Sequence, residues 1–130
     1  MATLNEKVYL SEWLKTIVDP AFSYENRAIT AVPAATETYQ SGHLLDAGVT
    51  AATGAAVDGI LADYVSLEEL QAGCVKLVVC RGPVTINSSK LSNAAVVGDA
   101  TQFADAITAL AALDIRVGAA VQIERSVSNL

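Results

Sequence analysis

This chain of 130 residues is short of nearly every residue type that carries chemistry. It has one histidine, two cysteines, one tryptophan and two phenylalanines, and aromatic residues make up only 5% of it. One histidine with two cysteines cannot furnish the usual ligand sets of a zinc site. No run approaches the ~20 apolar residues that cross a bilayer. The alanine-rich stretch from Ala104 to Leu113 is too short and is bracketed by Asp105 and Asp114. The first fifteen residues, MATLNEKVYLSEWLK, lack a basic head followed by an apolar core, so no secretory signal is expected, and the chain reads as made and kept in a cytoplasm or in particles assembled there. Basic clusters are missing too. Lys7, Lys15, Arg27, Lys76, Arg81, Lys90, Arg116 and Arg125 stand singly in a chain of net charge −6. Without a basic cluster to neutralise phosphates, nucleic acid is not an expected partner.

What remains is small and apolar. Hydrophobic residues reach 52%, carried mainly by alanine and valine. Such a core gains less per residue than one of leucine and phenylalanine, at ~25 cal/mol per Å² of apolar surface buried. Self-association would relieve that weakness, and a homo-oligomer is expected. The length fits one domain.

Catalytic constellations are not found. The loop Gly54-Ala-Ala-Val-Asp-Gly59 has neither the Lys-Ser/Thr of a phosphate-binding loop nor dinucleotide spacing. It reads as a turn entering a strand. His43 beside Gly42 reads as a surface loop residue rather than a general base. Glu68 and Glu69 are adjacent and point about 100° apart on a helical turn, so they do not converge. The chain is expected to be a non-enzyme without cofactor or metal. Cys74 and Cys80 end the run CVKLVVC. As a strand it holds them about 20 Å apart, too far for a disulfide, and both read as structural thiols on one face.

The predicted fold is α+β and mainly β, a body of short strands with a short N-terminal helix, and one C-terminal helix followed by a strand. Residues 1–38 read as a lead-in arm. In it Ser11 caps a helix over residues 12–18 that Asp19-Pro20 stops, and an extended stretch follows from Phe22 to Pro33. Four of the seven aromatic residues, Tyr9, Trp13, Phe22 and Tyr24, fall in this lead-in. They either pack on the domain's own core or anchor the arm on another protein. Residues 39–130 form the single β-rich domain. Within it Ile60–Val65, Val75–Cys80 and Val84–Ile86 read as strands. Ala47-Gly48 and Thr53-Gly54 are turn signals, Asp58-Gly59 suits a tight hairpin, and Ser66 opens a helical turn. Asp99 with Gln102 fits a capping box at the start of a helix striped by Phe103, Ile107, Leu110 and Leu113. Ile115, Val117, Ala119, Val121 and Ile123 alternate with more polar or smaller residues, the cleanest period-two signal in the chain, and predict a strand returning to the sheet.

The middle of the chain also carries a resemblance. The succession Gly42-His-Leu44, Gly54-Ala-Ala-Val-Asp-Gly-Ile-Leu61, Val75-Lys-Leu77 and Arg81-Gly-Pro-Val84 resembles the head decoration proteins of tailed bacteriophages, of the phage lambda type. It covers roughly the central third. The resemblance implies a β-clip body, a homotrimer, and a cementing role on the exterior of the expanded virion capsid at three-fold and quasi-three-fold positions. The partner it implies is the major capsid protein. It also implies that an N-terminal arm adds a strand to capsid protein edges. The stretch Tyr24-Glu-Asn-Arg-Ala-Ile-Thr30 looks like the arm segment of relatives in that group, which makes Trp13, Phe22, Tyr24, Asn26, Arg27 and Ile29 the expected capsid-binding residues. On this reading, deleting residues 1–30 leaves a folded trimer that no longer binds capsids. The lead-in with its Trp13 helix is longer than the lambda arm. The rival readings are another small virion part, such as a tail or baseplate protein, and a cytosolic β-rich ligand-binding module with a pocket near His43 and Tyr64.

Overall fold

The apolar pairs Leu44-Leu45, Ile60-Leu61 and Val78-Val79 set the architecture, because successive residues of a strand point to opposite faces. A strand carrying two consecutive apolar residues is therefore covered on both sides. The computed structural model describes residues 10–29 and 38–118. All six side chains of those pairs are buried there, divided between two cores.

The strands are β1 (Leu14–Ile17), β2 (Tyr24–Ile29), β3 (Leu44–Asp46), β4 (Val49–Thr50), β5 (Gly59–Leu61), β6 (Cys74–Val79), β7 (Val84–Ile86) and β8 (Ile115–Val117). The helices are α1 (Leu10–Trp13), α2 (Pro20–Ser23), α3 (Leu67–Ala72), α4 (Ala94–Val97) and α5 (Ala100–Ala112). Five strands form an antiparallel sheet in the order β2-β6-β5-β3-β4. Three form a smaller sheet, β1-β7-β8, with β7 and β8 parallel. The fold is α+β, a strand body followed by a C-terminal helix and a strand.

The parallel pair explains the long helical stretch before β8. A chain leaving β7 can lie parallel beside it only after a crossover, and α4 and α5 supply one. The main core, with Trp13, Leu44, Ile60, Val79, Val84, Ile86, Val96, Leu110 and Ile115, lies among the two sheets and the helices. A second core of Ile29, Tyr39, Leu45, Leu61, Val65, Leu70 and Val78 covers the other face of the larger sheet.

Local chemistry accounts for the element ends. Ala47 and Gly48 both take positive φ, 52° and 91°, so the β3–β4 turn has the two left-handed residues that suit the twist of a two-residue hairpin. Ser66 Oγ accepts from Glu69 N–H and the Glu69 carboxylate accepts from Ser66 N–H, a reciprocal cap for α3. At α5 only half of the expected box forms. Asp99 Oδ1 accepts from the amides of Thr101 and Gln102, but Gln102 Oε1 accepts instead from Gly54 N–H, 2.7 Å away. A side chain expected to close its own helix ties the helix to the turn at Gly54–Ala56.

Several expectations need correction. The N-terminal helix stops at Trp13, and residues 14–17 form β1 because their backbone pairs with β7. A four-residue turn has little helical stability of its own, so tertiary pairing decides. Ser11 lies inside that turn rather than at its cap. Asp58-Gly59 closes no hairpin. Gly59 begins β5, and Asp58 Oδ1 accepts from Ala47 N–H at 3.0 Å. The strand expected over residues 60–65 spans only Gly59–Leu61. The stripe of α5 buries Ala106 and Leu110 rather than Phe103 and Ile107, which are partly exposed. β8 does return to a sheet, and its expected continuation through Ala119, Val121 and Ile123 lies outside the described residues.

Residues 10–29, expected in an arm separate from the body, are woven into both sheets. Asn87 N–H donates to Trp13 O at 2.6 Å, and β2 pairs with β6 along all six residues. These contacts tie residues 10–29 to both sheets, so their removal is expected to cost the fold.

Candidate functional site

The six residues expected to bind a capsid part company here. Trp13 is fully buried, and its indole N–H donates to Ser41 Oγ at 2.9 Å. Ser41 Oγ in turn donates to Ala62 O at 2.9 Å, so the one tryptophan belongs to a buried relay within the chain. Ile29 is also buried, in the second core. These two are corrected: as placed, neither side chain reaches a partner. Tyr24 is half-buried against the main core, and that burial raises the pKa of its hydroxyl. Asn26 is exposed, as is Phe22, at 54%. Strand alternation puts Tyr24 and Asn26 on one face of β2 and Arg27 and Ile29 on the other. The six do not form one strip.

Around Phe22 the structure builds something the sequence did not announce. Residues 18–23 connect β1 to β2, and all but Ser23 are exposed. Asp19 Oδ1 accepts from Phe22 N–H at 3.3 Å, which caps the proline-started turn α2. Val18 N–H donates to Pro83 O at 3.3 Å, which brings exposed Pro83 alongside. Arg81 donates through Nη1 to Phe22 O at 2.6 Å and lies over the Phe22 ring, 5.1 Å from its centroid. The result is a knuckle of Val18, Pro20, Ala21, Phe22 and Pro83, fixed from below by an arginine. In the sequence Arg81 was marked only by its place after a predicted strand and in the Arg81–Val84 run of the resemblance.

Beneath the knuckle, Glu25 gathers three donors on one oxygen. Oε1 accepts from the Cys80 thiol at 3.3 Å, from Arg27 Nε at 3.2 Å and from Arg81 Nη2 at 3.2 Å. The thiol bond, then Arg27, holds the Glu25 carboxyl below the usual range. Burial, and the carboxylate beside it, push the Cys80 thiol up, which makes it a poor nucleophile. Cys74 and Cys80 are both free thiols. Arg27 also pairs with Asp58 at 3.4 Å, and the two line a shallow, open depression of about 380 Å³ with Ala28 and Ala47.

His43 differs from its expected setting. It is not a free surface residue but half-buried, stacked on Tyr39 with centroids 4.1 Å apart. Gly54, considered as part of a phosphate loop, has its amide engaged by Gln102. Among the described residues no group of three or more His, Cys, Asp or Glu is placed to hold a metal ion. Among the same residues, no helix is long and apolar enough to cross a membrane.

No family model, no curated protein and no solved structure matches the chain.

Proposed function

We propose that this protein is a structural component of a virion, a trimeric decoration protein. It binds the outer surface of the expanded phage capsid at three-fold and quasi-three-fold positions and stabilises the shell against the pressure of packaged DNA. The partners are the major capsid protein and two further copies of this chain. Two things support the reading, the resemblance of the central stretch and the exposed apolar knuckle beside β2. The knuckle carries it. Exposed apolar side chains on a turn tied by Asp19 and Arg81 suit a docking surface, because burying them on contact is favourable. The docking element is thereby moved from a long arm to the turn between β1 and β2.

Multivalency supplies the mechanism. Three copies present three knuckles, and after one has docked the others bind at high effective concentration. Individually weak contacts then hold firmly, and binding only the expanded shell stabilises it by mass action.

Cosedimentation with expanded, undecorated capsids of the source phage tests this. The wild-type chain is expected to pellet with capsids and show density at the three-folds by electron microscopy. Phe22→Ser is expected to weaken retention at least tenfold, with its thermal unfolding little changed because the ring is exposed. A wild-type chain that stays in the supernatant overturns the proposal. Full retention of the Phe22→Ser variant removes the knuckle from it.

A further inference from the structure

His43 fastens together three stretches that are remote in sequence. Its ring lies on that of Tyr39 with the planes 8° from parallel. Nε2 is 2.9 Å from Thr50 Oγ1 on β4, and Nδ1 is 3.4 Å from Ser92 Oγ in the segment before α4. Backbone bonds close the same corner. Leu44 N–H donates to Ser92 O at 3.1 Å, Ser92 N–H to Gly42 O at 3.1 Å, and Ala51 N–H to Leu44 O at 3.2 Å.

A neutral imidazole has one N–H and one lone pair, and two hydroxyls satisfy both, since each can donate or accept. An imidazolium has two N–H groups and a charge. Both hydroxyls then have to accept, and the charge sits half-buried among neutral partners. The groups that face it are Tyr39, Thr50 and Ser92. Tyr39 is the only titratable one, and burial raises its pKa above the ordinary value, so it stays neutral in acid. None of the ion pairs among the described residues includes His43. β4 is the terminal, two-residue strand of its sheet, with few ladder bonds to hold it.

We propose that His43 is a proton-sensitive clasp: neutral, it holds Tyr39, the β3–β4 hairpin and the Ser92 segment in one corner, and protonation opens that corner while α5 and the β2–β6 pair stay folded. Burial moves the histidine pKa down to about 4. The opened corner returns it towards the free value of about 6.5. The open form therefore binds more protons between these two values, and opening grows as pH falls through that window.

Amide hydrogen exchange of the full chain at pH 7 and pH 5, corrected for intrinsic rates, tests the clasp. Linkage between the two pKa values gives about a twentyfold loss of protection from pH 7 to pH 5. That loss is expected at Leu44, Ala51 and Ser92, with the amides in the middle of α5 unchanged. His43→Gln, which keeps a polar side chain but cannot be protonated, is expected to show no such pH dependence. A second reading on the wild-type chain is the ring titration by NMR, expected well below 6.5. Equal protection at both pH values overturns the clasp. So does an equal loss across α5, the same loss in His43→Gln, or a ring that titrates at or above 6.5.

Discussion

At the scale of single residues, a few buried polar contacts decide where the chain can go. Asn93 takes φ 132° and sends Nδ2 to the carbonyl oxygens of Leu44 and Ala51, at 3.0 and 2.8 Å. Its Oδ1 accepts from Ala95 N–H and starts α4, so one side chain fixes β3 and a helix together. Trp13 does the same for α1 and the segment at Ser41. Trp13→Ala is expected to cost about 3–5 kcal/mol through the cavity it leaves. Trp13→Phe is expected to cost about 1–3 kcal/mol, since the ring volume largely remains while the bond to Ser41 is lost. Denaturant unfolding followed by circular dichroism measures both. A Trp13→Ala variant as stable as wild type would place the indole outside the core.

At the scale of elements, close backbone approaches matter more than propensity. A Cβ on Gly48 would overlap the carbonyl oxygen of Ala28, and its φ of 91° already disfavours any side chain. The tip of the β3–β4 hairpin therefore rests against β2 at the far edge of the same sheet, and the sheet must curl for this to happen. Gly48→Ala is expected to destabilise by about 1–3 kcal/mol from backbone strain alone, with the overlap adding to it. Thermal unfolding checks this, and an unchanged midpoint would mean that the hairpin does not touch β2. Gly54 is packed similarly against the backbone of α5 at Gln102. The hydrogen bond from its N–H to Gln102 Oε1 explains why the helix sits across this turn.

At the scale of the whole molecule, residues 10–29 are part of the fold. β1 completes the smaller sheet, β2 forms an edge of the larger one, and Trp13 fills the main core between them. A chain lacking residues 10–29 is expected to lose its cooperative unfolding transition, measured by circular dichroism on heating. A sharp transition near the wild-type midpoint would return these residues to the role of a detachable arm. The proposed capsid binding is to be probed by surface substitutions such as Phe22→Ser, because truncation is expected to remove the fold along with the contact.

The sequence by itself determined the α+β class, the helix-then-strand C-terminus and most strand positions. Those features rest on local physics: Ser66 and Asp99 cap their helices, Ala47-Gly48 makes a left-handed turn, and β-branched runs extend. It also indicated a body of small apolar residues, with Phe22 and Tyr24 at the start of an extended stretch. Only the tertiary structure decided which side chains face out. Trp13 and Phe22 look alike as aromatic anchors in the sequence, yet one is buried and the other is half-exposed. The difference lies in partners 28 and 59 residues away, Ser41 for Trp13 and Arg81 for Phe22. Gln102 turned from its own helix to Gly54, and His43 found Tyr39, Thr50 and Ser92, by the same long-range route. Capping and turn preferences act over three or four residues and are legible in the chain. Burial depends on which distant segments the topology brings together, and that is fixed only when both sheets and α5 close on the two cores.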